Sequence, residues 1–166
     1  QTCALPISQP DLTFGWQNNF TWKNWDFSFF FRGTIGNKVL NNPRAAYANN
    51  TYLIGTNALD DELTYTMKES SRVCSYYLEN GSFIRLDNLA LGYTFDTKKI
   101  NWLDKARLYF AAQNLFVITG YKGLDPEVEL FRGESSDTDA GLSPGIEPRQ
   151  FFPKARTFTL GVNLTF

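Results

Sequence analysis

From Thr157 to Phe166 the sequence alternates without a break. Phe158, Leu160, Val162, Leu164 and Phe166 are apolar, while Thr157, Thr159, Gly161, Asn163 and Thr165 are small or polar. A side-chain period of two belongs to an extended strand with one apolar face, because successive side chains leave opposite sides of the backbone. The same rhythm opens the chain. Leu12, Phe14, Trp16, Phe20 and Trp22 alternate with Thr13, Gly15, Gln17, Asn19 and Thr21. Beyond Lys23-Asn24 the apolar residues move to odd positions: Trp25, Phe27, Phe29 and Phe31, with Phe30 as the exception on the other face. A two-residue turn at Lys23-Asn24 explains the switch. It makes residues whose numbers sum to 47 cross-strand partners, so that Trp22 meets Trp25, Phe20 meets Phe27 and Trp16 meets Phe31.

Two further strands are expected. In 82–97, Leu89, Leu91, Tyr93 and Phe95 share one face, but Ile84 and Leu86 fall on the opposite parity, which calls for a bulge near Asp87-Asn88. In 106–117, Leu108, Phe110 and Ala112 oppose Arg107, Tyr109 and Gln113. The chain thus reads as all-β, an antiparallel meander of five strands at about 11–22, 25–37, 82–97, 106–117 and 155–166. Its connections alternate, short at 23–24 and near 98–104, long at 38–80 and 118–154.

Composition decides what kind of β-protein this is. Aromatics form 16% of the 166 residues, with fifteen Phe, eight Tyr and four Trp, yet the mean hydropathy is −0.31. A soluble core so rich in large rings would bring a higher average. The wall of a membrane barrel reconciles the two values, since each strand pairs a lipid-facing with a lumen-facing residue at every step. No run approaches the roughly 18 apolar residues of a spanning helix. Short turns on one side and long loops on the other are the asymmetry of outer-membrane barrels, short turns periplasmic and long loops extracellular. The C-terminus is then periplasmic. Trp22, Trp25, Tyr93 and Phe95 lie by the short turns, where an aromatic girdle belongs.

Little in the sequence suggests chemistry. There is no histidine, and the net charge of −1 leaves no basic surplus for nucleic acid. Two cysteines make neither a disulfide framework nor a zinc site. Asp137-Thr138-Asp139-Ala140-Gly141 has the flavour of a calcium loop but lacks the remaining ligands and the closing Glu, so it reads as a solvated loop. Asp125-Pro126-Glu127 reads as an extended turn, without a base or nucleophile beside it. No catalytic, cofactor or metal site is expected. Arg32, Arg85, Asp87, Arg107 and Gln113 read as the polar filling of the lumen wall. Gln1 to Ile7 back-translate into a common sequencing-library adaptor (CAG ACG TGT GCT CTT CCG ATC), and Gln1 to Ser8 are expected to be an assembly artefact, which leaves Cys74 a lone thiol.

Several blocks carry a resemblance. They are Asn19-Phe20-Thr21-Trp22-Lys23-Asn24-Trp25-Asp26-Phe27-Ser28, Ser82-Phe83-Ile84-Arg85-Leu86-Asp87-Asn88-Leu89-Ala90-Leu91-Gly92-Tyr93 and Ala106-Arg107-Leu108-Tyr109. Further on come Gln113-Asn114-Leu115-Phe116, Tyr121-Lys122-Gly123-Leu124-Asp125-Pro126-Glu127-Val128 and the closing stretch 153–166. In this order, over nearly all of 9–166, the chain resembles SusC/RagA-type TonB-linked outer-membrane proteins. The resemblance implies a plugged barrel of about 22 strands, of which this chain would be the last five. It implies import of oligosaccharides or peptides with a SusD-like surface lipoprotein, and coupling to the TonB complex through an N-terminal region upstream. Phe166, ending an alternating strand, resembles the signal read by the barrel assembly machinery. Tyr121, Phe131, Phe151 and Phe152 are candidates for contact with substrate or partner at the outer rim. A passive or structural barrel, or a soluble carbohydrate-binding β-sandwich, are the alternatives that the residues themselves leave open.

Overall fold

The computed structural model of the chain describes residues 9–48, 59–60, 75–97, 102–128, 145–148 and 152–166. Among these residues the strands and the α-helix run in the order β1 (Leu12–Trp22), β2 (Trp25–Ile35), β3 (Lys38–Leu40), α1 (Asn42–Tyr47), β4 (Leu78–Asn80), β5 (Phe83–Phe95), β6 (Lys105–Thr119) and β7 (Thr157–Thr165). Five of the strands form one sheet in the order β1-β2-β5-β6-β7, an antiparallel meander in chain order. β3 and β4 pair apart from it. The chain divides into two compact units. The sheet unit comprises Thr13–Gly33, Ile84–Ile118 and Lys154–Phe166; the loop unit comprises Gln1–Leu12, Thr34–Phe83 and Thr119–Pro153.

In the sheet unit the ring pairs are those the alternation dictates. Trp16 and Phe31 stack with centroids 6.1 Å apart, and Phe20 and Phe27 at 6.3 Å. Lys23 opens the turn with φ 54, a left-handed conformation that reverses the chain in two residues. β6 and β7 pair in a single register from Lys105↔Thr165 to Gln113↔Thr157, which sets Leu108 against Val162 and Phe110 against Leu160. Asn114 follows at φ 51. Its Nδ2 donates to the Ala155 carbonyl at 3.1 Å, so a side chain replaces the ladder there and β7 begins at Thr157.

β5 changes parity. Asp87 pairs with Arg32 of β2, while a Cβ on Gly92 would stand 2.5 Å from the Asp26 carboxylate, also of β2. Arg32 and Asp26 share a face, being six residues apart on one strand. An odd and an even position of β5 therefore point the same way, and the alternation slips between 87 and 92.

The loop unit departs from the plain loops expected. Within 38–80 lie β3, α1, a 3₁₀ turn over Ser75–Tyr77 and β4. β3 and β4 are antiparallel, with Lys38↔Asn80, Val39↔Glu79 and Leu40↔Leu78. α1 starts as a helix should: Asn41 Oδ1 accepts from Arg44 N at 2.9 Å and Pro43 sits in the first turn. Leu40, Ala45, Ala48 and Tyr77 form a buried core with Leu78 and Ile146 packed on it. No periodicity announces this core, because its residues come from separate short pieces and meet only in three dimensions.

Candidate functional site

The sheet unit has two unlike faces. Large apolar residues on one side stand open. Trp16, Phe20, Trp22, Trp25, Leu91, Leu108, Phe110, Phe158, Leu160, Val162, Leu164 and Phe166 are all exposed, Leu160 to 73%. Leu12, at the start of β1, is exposed as well. Phe14, Phe27, Phe29, Phe31, Leu89 and Tyr93 are half-buried. Neighbouring rings shield them: Phe29 lies 5.4 Å from Trp16 and 5.5 Å from Phe31, and Phe31 lies 6.2 Å from Phe116. In water such a surface would be a severe liability; monomeric soluble proteins seldom show an apolar patch beyond a few hundred Å². Next to a bilayer it is the contact surface.

Near the short turns the rings close into clusters. Trp25 sits 4.7 Å from Tyr93, which sits 4.8 Å from Phe95, and Lys23 Nζ lies 5.1 Å above the Trp22 ring. Trp102, not singled out by the alternation, stacks on Phe166 at 5.7 Å with planes 11° apart. It falls in a turn, where no period marks it; only its type and its place beside a short connection could have flagged it.

The opposite face is polar and internally paired. Arg107 donates to Asp26 through Nε at 3.1 Å and Nη2 at 2.5 Å. Asp26 belongs to β2 and Arg107 to β6, so the pair spans the intervening β5. It can do so only because Gly92 lies beneath it without a side chain. Tyr109 likewise lies over Gly161, its direct partner on β7. Arg32 Nε meets Asp87 Oδ2 at 3.2 Å. Between the two ion pairs is a shallow concavity of about 310 Å³, lined among others by Gln17, Ser28, Phe30, Asn88, Ala111 and Gln113. The exceptional Phe30 is accounted for: its ring lies against Gly15, 3.3 Å from where a Cβ would stand. Arg85 is buried, only 3% exposed, and Gln113 is exposed.

In the loop unit two carboxylates do most of the fastening. Glu79 accepts from Arg44 Nη1 at 2.9 Å, Asn41 Nδ2 at 3.3 Å and Lys122 N at 2.9 Å. Glu147, fully buried, accepts from the Tyr121 hydroxyl and from Leu124 N at 3.1 Å. Its own N–H donates to Leu40 O at 3.0 Å, while Leu40 N donates to Gly145 O at 2.7 Å. Burial first, and then the bond to Glu147, push the Tyr121 hydroxyl well above its ordinary pKa. Tyr121 is thus 7% exposed and fastens the loop; it offers no open ring to a ligand. Phe152 is 88% exposed. Phe131, Phe151, Cys74, the stretch 137–141 and Gln1 to Ser8 lie outside the described residues. Asp125 Oδ1 accepts from Glu127 N at 2.9 Å, a local turn bond, and is itself buried. Neither Glu79 nor Glu147 was visible in the sequence as a fastening point, since a lone Glu in a loop carries no pattern.

An apolar outer surface, a charge-paired inner surface and a meander of paired strands define a stretch of transmembrane β-barrel wall. Comparison with known proteins agrees. No family profile matches the chain. It is 34% identical over 171 residues to TonB-dependent receptor P3 of Formosa agariphila, covering 95% of this chain and 16% of that protein. It is 31% identical to TonB-dependent receptor SusC of Bacteroides thetaiotaomicron, covering 94% of this chain and 15% of that one. The solved RagAB peptide importer in its open-open state superposes with a TM-score of 0.73 at 25% identity, over 96% of this chain and 17% of that one. The chain belongs to the SusC/RagA-type TonB-dependent receptors, outer-membrane proteins of which it spans about a sixth of the length.

Proposed function

We propose that this chain forms five consecutive strands of an importer barrel, carrying oligosaccharides or peptides across the outer membrane beside a SusD-like lipoprotein. The reading rests above all on the two-faced sheet, whose exposed rings and aliphatic side chains need lipid and whose inner charges are already paired. Coupling to the TonB complex would run through the upstream part of the protein. In this reading the turn at Lys23-Asn24 and the C-terminus are periplasmic and the long connections extracellular, which the alternation of short and long connections supports. Phe152 and the rings at 131 and 151 would then lie at the outer rim, where cargo and lipoprotein approach. In this reading Phe166 serves as the assembly signal.

The topology has a direct test. In the intact protein on whole cells, Asp139→Cys and Asn57→Cys should react with a membrane-impermeant maleimide, and Asn24→Cys only after lysis. The reverse pattern would overturn the orientation. Recovery of the protein in the soluble fraction, without detergent, would favour a β-sandwich instead.

A further inference from the structure

The loop unit is assembled from two stretches far apart in sequence, the connections 38–80 and 118–154. Three of its residues face both ways. Glu79 divides its carboxylate between them. Its Oε1 accepts from Asn41 Nδ2 at 3.3 Å and Arg44 Nη1 at 2.9 Å in its own connection, and its Oε2 from Lys122 N at 2.9 Å in the other. Glu147 divides side chain from backbone. The carboxylate holds the Tyr121 hydroxyl and Leu124 N within 118–154, while the N–H donates to Leu40 O at 3.0 Å across the boundary. Leu40 donates its N–H to Gly145 O at 2.7 Å, so both of its backbone groups go to the other connection. Its side chain stays in the core with Ala45, Ala48 and Tyr77, and Ile146 packs on that core from the far side of the bridge.

We propose that the two long connections form one cooperative body, clasped by Leu40, Glu79 and Glu147, so that a disturbance in either is passed to the other. It holds whatever the cargo. Leu40 is 5% exposed and Glu147 fully buried, and buried backbone groups and carboxylates are costly to leave without partners. Moving 145–147 off β3 would strip Leu40 of both partners and pull Glu147 away from Tyr121 and Leu124. Shifting 121–124 instead would cost Glu147 its two donors and Glu79 one. No part of the clasp opens without loosening the rest. Coupling of this kind is reciprocal by thermodynamic necessity: if 118–154 steadies α1, then α1 steadies 118–154 to the same extent.

Amide hydrogen exchange on the intact protein in detergent micelles tests this with one variant in each connection. Tyr121→Phe removes a donor from Glu147. It should speed exchange about tenfold at Leu124 and Glu147, and by a similar factor at Ala45 and Ala48 of α1. Asn41→Ala removes the helix cap and a donor to Glu79, and should in turn speed Lys122 and Glu147 together with α1. Unchanged amides in β7 show that each variant is folded. In the unsubstituted protein, Leu40, Ala48, Leu124 and Glu147 should share one opening with one urea slope. An effect confined to the connection that carries the substitution, transmission in one direction only, or distinct urea slopes for Ala48 and Leu124 would each overturn the clasp.

Discussion

The sheet unit and the loop unit are built from one composition by opposite rules. In the loop unit Val39, Leu40, Ala45, Ala48 and Tyr77 are buried and the chain folds around them, as in a soluble domain. In the sheet unit Trp16, Phe20, Phe158, Leu160 and Val162 stand exposed, and ion pairs occupy the opposite, polar face. The same residue type therefore has opposite meaning in the two places: a leucine at 40 is core, a leucine at 160 is surface. Hydrophobicity alone does not locate a residue here; its medium does.

Substitutions can break that comparison or sharpen it. The largest effect is expected at Leu40. Leu40→Ala should loosen the loop unit by about 2–5 kcal/mol through lost burial and the cavity left behind. Hydrogen exchange on the intact protein should show the loss in β3, α1 and β4 and not in β7. A loss spread evenly over both units would mean that they share one core. Next comes Leu160→Arg, which should cost roughly 2–4 kcal/mol in lipid-embedded protein, by urea unfolding. Thr159→Arg, one residue away on the polar face, should cost far less. Similar costs would remove the distinction between faces.

Glu147→Ala leaves a buried tyrosine hydroxyl and the Leu124 N–H without their acceptor, at about 1–3 kcal/mol, read as faster limited proteolysis of the loop unit in the intact protein. Alkali should probe the same contact. The Tyr121 pKa is raised in the folded state, so its contribution is whole below the ordinary tyrosine value of roughly 10 and is lost as pH climbs above it. Tyr121→Phe should abolish that alkaline loosening. A response unchanged by the substitution would assign it elsewhere. The smallest effect is expected for Arg107→Ala, within about 1 kcal/mol by the same unfolding assay, because its side chain and that of Asp26 are 35% and 39% exposed.

Much of the sheet was legible in the sequence because one face of each strand is apolar and the other largely polar. A period of two then survives in the residues themselves, and Trp16/Phe31 and Phe20/Phe27 could be paired from their spacing alone. The loop unit was not legible for the converse reason. Leu40, Ala45 and Tyr77 are drawn from β3, α1 and the 3₁₀ turn, and each piece is too short to display a period. Asn41-Asn42-Pro43 reads as a breaker in the sequence, yet it is the start of a helix, since Asn and Pro serve both ends. Tyr121 looked like an exposed aromatic because nothing local reveals Glu147, 26 residues away. On the polar face, the period marks Arg107 as a polar-side residue, but nothing local reveals Asp26, its partner across an entire strand.

The seating of Tyr109 over Gly161 has a consequence for how the strands find each other. In the observed register the ring occupies room that only a residue without a side chain can leave. Sliding β7 by two positions would keep every apolar residue on its proper side, so hydrophobicity would not object. It would, however, bring Thr159 or Asn163 under the ring, and either would push it off the sheet. The glycine thus acts as a keyway: a misaligned β7 jams against a single tyrosine, and the wall can zip up in one alignment only.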